Sequence, residues 1–102
     1  MDQHLEILTR LSQIVFDSAN RPFEGAQLFL EVNSDELWVE HRFNYYENSV
    51  KKHVLLPAEY TSELSSLGYK LQDVMFEHTG GRWKWFTLDL DKDGKAKTHF
   101  EY

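Results

Sequence analysis

Apolar side chains recur every three or four positions in two stretches of the chain, which predicts two amphipathic helices. The first covers residues 4–18 and the second residues 58–77. Gly68 falls inside the second stretch, where glycine costs about 1 kcal/mol relative to alanine. We therefore expect either a break in the helix or close packing at Gly68. The two apolar stripes consist of Ile7, Leu8, Leu11, Ile14 and Val15, and of Tyr60, Leu64, Leu67, Leu71, Val74 and Met75.

In the rest of the chain apolar and polar residues alternate, with the period of a half-buried β-strand. Short turns separate the first three strands, which predicts an antiparallel meander, and the last two strands form a hairpin. The element order α-β-β-β-α-β-β predicts an α+β fold, with both helices on one face of an antiparallel sheet, in a single domain over residues 1–102. The predicted strands cover residues 26–33, 37–46, 50–56, 83–91 and 95–102.

The same alternation divides the side chains of the strands between the two faces of the sheet. The residues predicted to face the helices are Leu28, Leu30, Val32, Val39, Phe43, Phe86, Leu88 and Leu90. Leu37 and Tyr45 are predicted on the same side of the second strand as Val39 and Phe43. The residues predicted to face outward are Phe29, Glu31, Trp38, Glu40, Arg42, Trp83, Trp85 and Thr87.

An open sheet face that carries aromatic rings beside carboxylates is typical of a protein interface. The alternative is that a loop, a helix or a second copy of the chain covers these rings. From the first interpretation, we predict that the partner-binding residues are Phe29, Glu31, Trp38, Glu40, Trp83 and Trp85.

Residues 89–94, with the sequence DLDKDG, match the opening of a calcium-binding loop. The match ends there, because the ninth position of the loop is Lys97 and the twelfth, which needs a bidentate Glu, is Phe100. A β-hairpin accounts for the same residues, with a turn at residues 91–94 and Gly94 in the left-handed conformation. We therefore predict a hairpin and no metal site.

The chain shows no pattern of residues that is typical of catalysis or of cofactor binding. It contains no Cys, which excludes disulfides and zinc–thiolate sites, and its five His form no metal-binding motif. His41 and His53 are predicted on opposite faces of the sheet, and a shift of one residue in strand pairing would bring them together. No nucleophile elbow, P-loop or dinucleotide-binding pattern occurs. We predict no catalytic, cofactor-binding or metal-binding residue, and expect that the protein is not an enzyme.

The net charge of −6 is unevenly distributed along the chain. Residues 1–36 hold seven acidic and two basic side chains, and residues 57–77 hold four and one. This balance is unfavourable for direct binding to nucleic acid, which needs Lys and Arg to neutralise phosphates. It suits a basic protein partner, although it also serves solubility alone.

The first residues lack the basic start and the continuous apolar stretch of a signal peptide. No apolar run approaches the roughly 20 residues that a membrane-spanning helix needs. We therefore expect a cytoplasmic protein with no membrane partner.

The second half of the chain carries an ordered set of residues that resembles a known family. The set is a Leu-rich helical segment after Pro57, then Trp83, then Phe86, Leu88 and Leu90 in alternation, then Asp93-Gly94-Lys95, and then Phe100-Glu101-Tyr102. This order resembles the YezG-like immunity (antitoxin) family of bacterial polymorphic toxin systems. The specific part covers about residues 83–102, and the order of elements is similar over most of the chain. The chain departs from the family pattern at Ala96 and Thr98, where members tend to carry large apolar residues.

The resemblance implies that the protein binds and neutralises a toxin domain encoded beside it, often a nuclease used in competition between bacteria, including contact-dependent inhibition. Such an inhibitor forms a tight stoichiometric complex with a basic toxin and is a monomer or a homodimer when free. Its carboxylates would pair with Lys and Arg, and its aromatic rings would be buried anchors. Two alternatives remain at this point, namely a small α+β domain that binds a ligand or nucleic acid, and a homo-oligomeric structural subunit.

Overall fold

The computed structural model describes residues 2–19, 24–53, 56 and 58–102. The helices are α1 (Asp2–Ala19) and α2 (Ala58–Thr79), and the strands are β1 (Gly25–Asn33), β2 (Trp38–Glu47), β3 (Val50–His53), β4 (Trp85–Asp91) and β5 (Ala96–Glu101). The strands form one sheet in the order β3-β2-β1-β4-β5, and every neighbouring pair is antiparallel. The predicted α+β fold and its element order are confirmed. Pro57 and residues 54 and 55 of the predicted third strand lie outside the described residues.

Both helices bury their apolar stripes in one core with the inner face of the sheet. On α1 the buried side chains are Ile7, Leu11, Ile14 and Val15, and on α2 they are Leu64, Leu71, Val74 and Met75. Leu8, Tyr60 and Leu67 are partly buried against this core, so the stripes predicted from the sequence are confirmed. Within the described residues, neither helix is both long and apolar enough to cross a membrane.

Gly68 lies where α2 approaches the centre of the sheet. A Cβ atom at this position would be 3.0 Å from Leu30 Cδ2 and 3.1 Å from Val32 Cγ2, which is closer than side chains normally pack. The helix continues through Gly68 to Thr79 without a break. Of the two expectations for this glycine, close packing against β1 is the correct one.

The β4–β5 hairpin turns at residues 91–94. The amide of Gly94 donates to the carbonyl of Asp91 at 3.0 Å, and Gly94 has a φ of 83°. The Asp91 carboxylate accepts the amides of Asp93 and Lys95 at 2.8 and 2.9 Å. The hydrogen bond from Lys95, followed by that from Asp93, lowers the pKa of Asp91. The predicted hairpin turn is confirmed.

The β2–β3 hairpin sets the positions of His41 and His53. Glu47 pairs with Val50, so Asn48 and Ser49 form a two-residue turn with φ values of 53° and 63°. Positive φ at both central residues is typical of hairpin turns whose twist matches that of the strands. His53 then pairs with Asn44, and His41 pairs with Leu30. The two histidines are on opposite faces, as predicted.

Leu37 was predicted to begin the second strand, on the same side as Val39 and Phe43, and this prediction is wrong. It is 76% exposed and lies in the turn between β1 and β2 with a φ of 60°. The Asn33 side chain accepts the amides of Asp35 and Glu36 at 3.1 and 2.9 Å, and these bonds hold the turn. β2 therefore begins at Trp38, and the apolar side chain of Leu37 is not part of the strand alternation.

Candidate interaction face

The sheet face opposite the helices, which we call the outer face, is covered by no helix or strand in the described part of the chain. Most of its side chains are exposed or half-buried, including Phe29, Glu31, Trp38, Glu40, Arg42 and Trp85. Because successive side chains of a strand point to opposite faces, these residues alternate with the core residues of β1, β2 and β4. Five of the six predicted partner-binding residues therefore share one surface.

Strand pairing places four of the outer-face residues in one row across the sheet. Glu31 of β1 is opposite Glu40 of β2 on one side and opposite Trp85 of β4 on the other. Trp85 is in turn opposite Glu101 of β5. We call Glu40, Glu31, Trp85 and Glu101 the acidic row. Adjacent strands are about 4.8 Å apart, so the row holds two carboxylates on one side of the Trp85 indole and one on the other.

The neighbouring row has a different character. Arg42 is opposite Phe29, and its guanidinium carbon is 5.3 Å from the centre of the Phe29 ring. The same guanidinium is 3.4 Å from Glu40 Oε1. Phe29 contacts Trp85 diagonally, with ring centres 5.6 Å apart. The aromatic pair is thus continuous across β1 and β4, and an arginine of the chain itself lies over its Phe29 end.

The acidic row ends at Glu101 on the edge strand β5, where His99 lies beside it on the same face. His99 has its ring centre 5.8 Å from that of Trp85, and its Nε2 is 3.0 Å from Glu101 Oε2. Neither residue is among those predicted from the sequence to bind a partner. The turn at residues 91–94 is the sequence signal that identifies Glu101. Counting outward from this turn along both strands pairs Glu101 with Trp85 and assigns both to one face.

Trp38 lies at the end of the outer face, where β2 begins. Its side chain is 38% exposed, and its Nε1 donates to Glu36 Oε2 at 2.9 Å. This hydrogen bond fixes the polar edge of the indole toward the β1–β2 turn. The rest of the ring is available at the rim of the face, outside the acidic row.

Trp83 was predicted to be exposed and to bind the partner, and its predicted exposure is wrong. It is 0% exposed and packs in the core, with ring centres 5.0 Å from Phe86 and 5.8 Å from Phe100. The chain bends at Lys84, so the alternation of β4 does not extend back to Trp83. The indole Nε1 has no hydrogen-bond partner among the described residues. Trp83 therefore belongs to the core and is removed from the candidate interface.

A cleft of about 300 Å³ opens beside the acidic row, between the β1–β2 turn and residues 82–84. Gln72 is buried beneath it and donates to the carbonyl of Trp83 at 2.9 Å. Arg82 is 2.9 Å from Asp73 and lies over the ring of Phe76, 4.3 Å from its centre. The lining contains the acidic residues Glu31 and Asp35 and the basic residues Arg82 and Lys84. The guanidinium of Arg82 already donates a hydrogen bond to Asp73.

The described residues contain no group of three or more His, Asp or Glu arranged to hold a metal ion. The described side chains of the outer face offer carboxylate charge and flat aromatic area. The sequence matches no protein-family model, and none of the curated proteins searched is significantly similar to it.

Proposed function

We propose that this protein is an immunity protein, which binds a cognate toxin domain and neutralises it as a tight stoichiometric complex. The observation that carries the proposal is the acidic row on an outer face that no described element covers. Interfaces concentrate their binding energy in a few aromatic and charged residues near the centre of the contact. Trp85, with Phe29 beside it and carboxylates on both sides, has that composition.

The charge of the chain supports a basic partner. A nuclease domain needs Lys and Arg to hold the phosphates of its substrate. A protein of net charge −6 that presents Glu31, Glu40 and Glu101 along one line is complementary to such a surface. Complementary charges speed the encounter and select the partner. The proposed partner is accordingly a basic toxin domain, most simply a nuclease, met in the cytoplasm.

The resemblance of residues 83–102 to the YezG-like immunity family points to the same function, and it stays a prediction. Its residues mainly build the core and the hairpin: Phe86 is fully buried and Gly94 forms the turn. Because these residues support the fold, the partner-binding residues come from the outer face and not from the resemblance. On this proposal the protein acts by binding and carries no catalytic residue.

Expression of the toxin domain encoded by the adjacent upstream gene tests the proposal. We expect that this domain stops bacterial growth when it is produced alone, and that co-production of this chain restores growth. The two proteins should also copurify in a one-to-one ratio. Growth arrest that this chain does not relieve, with both proteins folded, would contradict the proposal.

The cleft beside the acidic row favours a second candidate function, which is binding of a small ligand. Its volume of about 300 Å³ is at the lower end for ligand pockets. Trp38 at its wall offers a ring on which a ligand can stack. Calorimetry of the purified chain with metabolite pools separates the two candidates. Binding heat from a small molecule alone would support the second, because the immunity function requires a macromolecular partner.

A further inference from the structure

Trp85 combines a half-buried ring with carboxylates on two sides. Glu31 is directly opposite it on β1, and Glu101 is directly opposite it on β5. Among the described residues, no arginine or lysine lies over the Trp85 ring, and Glu31 has no ion pair. His99 also borders this site, with its ring centre 5.8 Å from that of Trp85 and its Nε2 3.0 Å from Glu101 Oε2. Among the described residues, this part of the outer face therefore presents an aromatic ring and carboxylates that no arginine or lysine side chain contacts.

The neighbouring ring shows how this sheet accommodates a cation. Arg42 places its guanidinium 5.3 Å from the centre of Phe29 and 3.4 Å from Glu40 Oε1. One guanidinium thus contacts a ring and a carboxylate at the same time. Trp85 offers the same combination one strand away, and an indole ring attracts cations more strongly than a phenyl ring does.

We infer that the seat formed by Glu31, Trp85 and Glu101 binds an arginine side chain presented by a basic protein partner. The two carboxylates are separated by two strand spacings, roughly 10 Å between backbones, and their flexible side chains can close on a group above the ring. A guanidinium is planar, stacks on aromatic faces and carries five N–H donors, so it satisfies the ring and the carboxylates together. A lysine ammonium is a compact, strongly hydrated charge that stacks less well.

This inference deepens the proposed function, on which it rests for the identity of the partner. The seat itself follows from the register of β1, β4 and β5 and is defined without reference to a toxin. A second copy of the chain is the competing occupant, because Arg42 is exposed on the same face. That occupant predicts a dimer whose formation depends on Arg42.

The test is a titration of the isotope-labelled chain with a short capped peptide of glycine and arginine, followed by NMR. The matched peptide has lysine in place of arginine. We expect shifts at the Trp85 indole N–H and at the amides of Glu31 and Glu101, with about threefold weaker binding of the lysine peptide. Glu31→Gln and Glu101→Gln should each weaken binding of the arginine peptide about threefold. Glu77→Gln, on an exposed part of α2, is the matched control and should leave binding unchanged.

Three results overturn the inference: no perturbation at Trp85, equal binding of the two peptides, or equal effects of the substitutions at Glu31 and Glu77. Trp85→Phe keeps a ring and guards against loss of folding in Trp85→Ala; it should reduce but not abolish binding. The toxin assay separates the two ideas. If a toxin binds the Trp85 and Glu31 variants with the same affinity as the unmodified chain, the arginine-binding site is ruled out and the immunity function still stands. If the chain binds the arginine peptide specifically but no toxin, the arginine-binding site stands and the immunity function is ruled out.

Discussion

Glu31 and Glu40 lie directly opposite each other on adjacent antiparallel strands, with their side chains on the same open face of the sheet. Like charges in this position destabilise a strand pair. An ion pair with Arg42 partly offsets the negative charge of Glu40, whereas Glu31 has no ion pair among the described residues. This pair is unfavourable in the free chain but complementary to a basic surface. It therefore supports the proposal that the outer face binds a partner.

Glu31→Gln should therefore stabilise the free protein while it weakens binding to the partner. Removing the repulsion with Glu40 is expected to raise the free energy of unfolding by about 0.2–1 kcal/mol. Urea denaturation at low salt measures it, and the gain should shrink at high salt because the repulsion is screened. Glu77→Gln, which has no opposing carboxylate across a strand pair, is the control. A loss of stability on Glu31→Gln would show that this carboxylate supports the fold.

Trp83 and Trp85 are two residues apart, and their replacement by alanine should cost very different amounts of stability. Trp83→Ala opens a cavity in the core and should lower the free energy of unfolding by about 3–5 kcal/mol. Trp85→Ala removes a ring from the outer face and should cost about 1 kcal/mol or less. Chemical denaturation compares the two variants. Equal losses would contradict the assignment of Trp83 to the core and Trp85 to the open face.

Gly68→Ala tests the contact between α2 and β1. Alanine favours the helix by about 1 kcal/mol, but its Cβ would lie 3.0 Å from Leu30 and 3.1 Å from Val32 in a filled core. Overpacking of this kind costs about 1–3 kcal/mol, so we expect a net loss of about 1 kcal/mol in thermal or chemical denaturation. In a Val32→Ala background the cost should fall, and the double-mutant cycle measures this coupling. A stabilising Gly68→Ala would mean that the helix shifts away from the sheet freely.

The Asp91 carboxylate should make the β4–β5 hairpin sensitive to acid. Its pKa lies below the ordinary value of 3.8 because it accepts the amides of Lys95 and Asp93. A lowered carboxyl pKa means that its stabilising contribution is complete above pH 3.8 and is lost as the pH falls through the folded-state pKa. The unmodified chain should thus exceed Asp91→Asn in stability at neutral pH, and the difference should close below about pH 4. A difference that is constant with pH would contradict this role.

The sequence was sufficient for the order of the elements and for the helix stripes, because both follow from local periodicity. It was insufficient at Leu37 and Trp83, which lie just outside the strands. There the backbone leaves the extended conformation, at a left-handed φ for Leu37 and a bend at Lys84, so counting by two assigns the wrong side.

The acidic row was only partly predictable for a different reason. Glu31, Glu40 and Trp85 were assigned to the outer face by alternation, but their alignment depends on the register between strands far apart in the chain. Glu101 is assigned to this row only by counting outward along β4 and β5 from the Asp91–Gly94 turn. Alternation fixes the face of a residue, whereas register fixes its neighbours.

We propose that the outer face binds a basic toxin domain through Trp85 and its flanking carboxylates. Titration calorimetry with the domain encoded by the adjacent upstream gene tests it most directly, using the unmodified chain, Trp85→Ala, Glu31→Lys and the control Glu77→Lys. We predict one-to-one binding at nanomolar affinity, weakened by about 2 kcal/mol or more in the first two variants and unchanged in the control. Absence of binding heat at several temperatures, with both proteins folded, would contradict the claim.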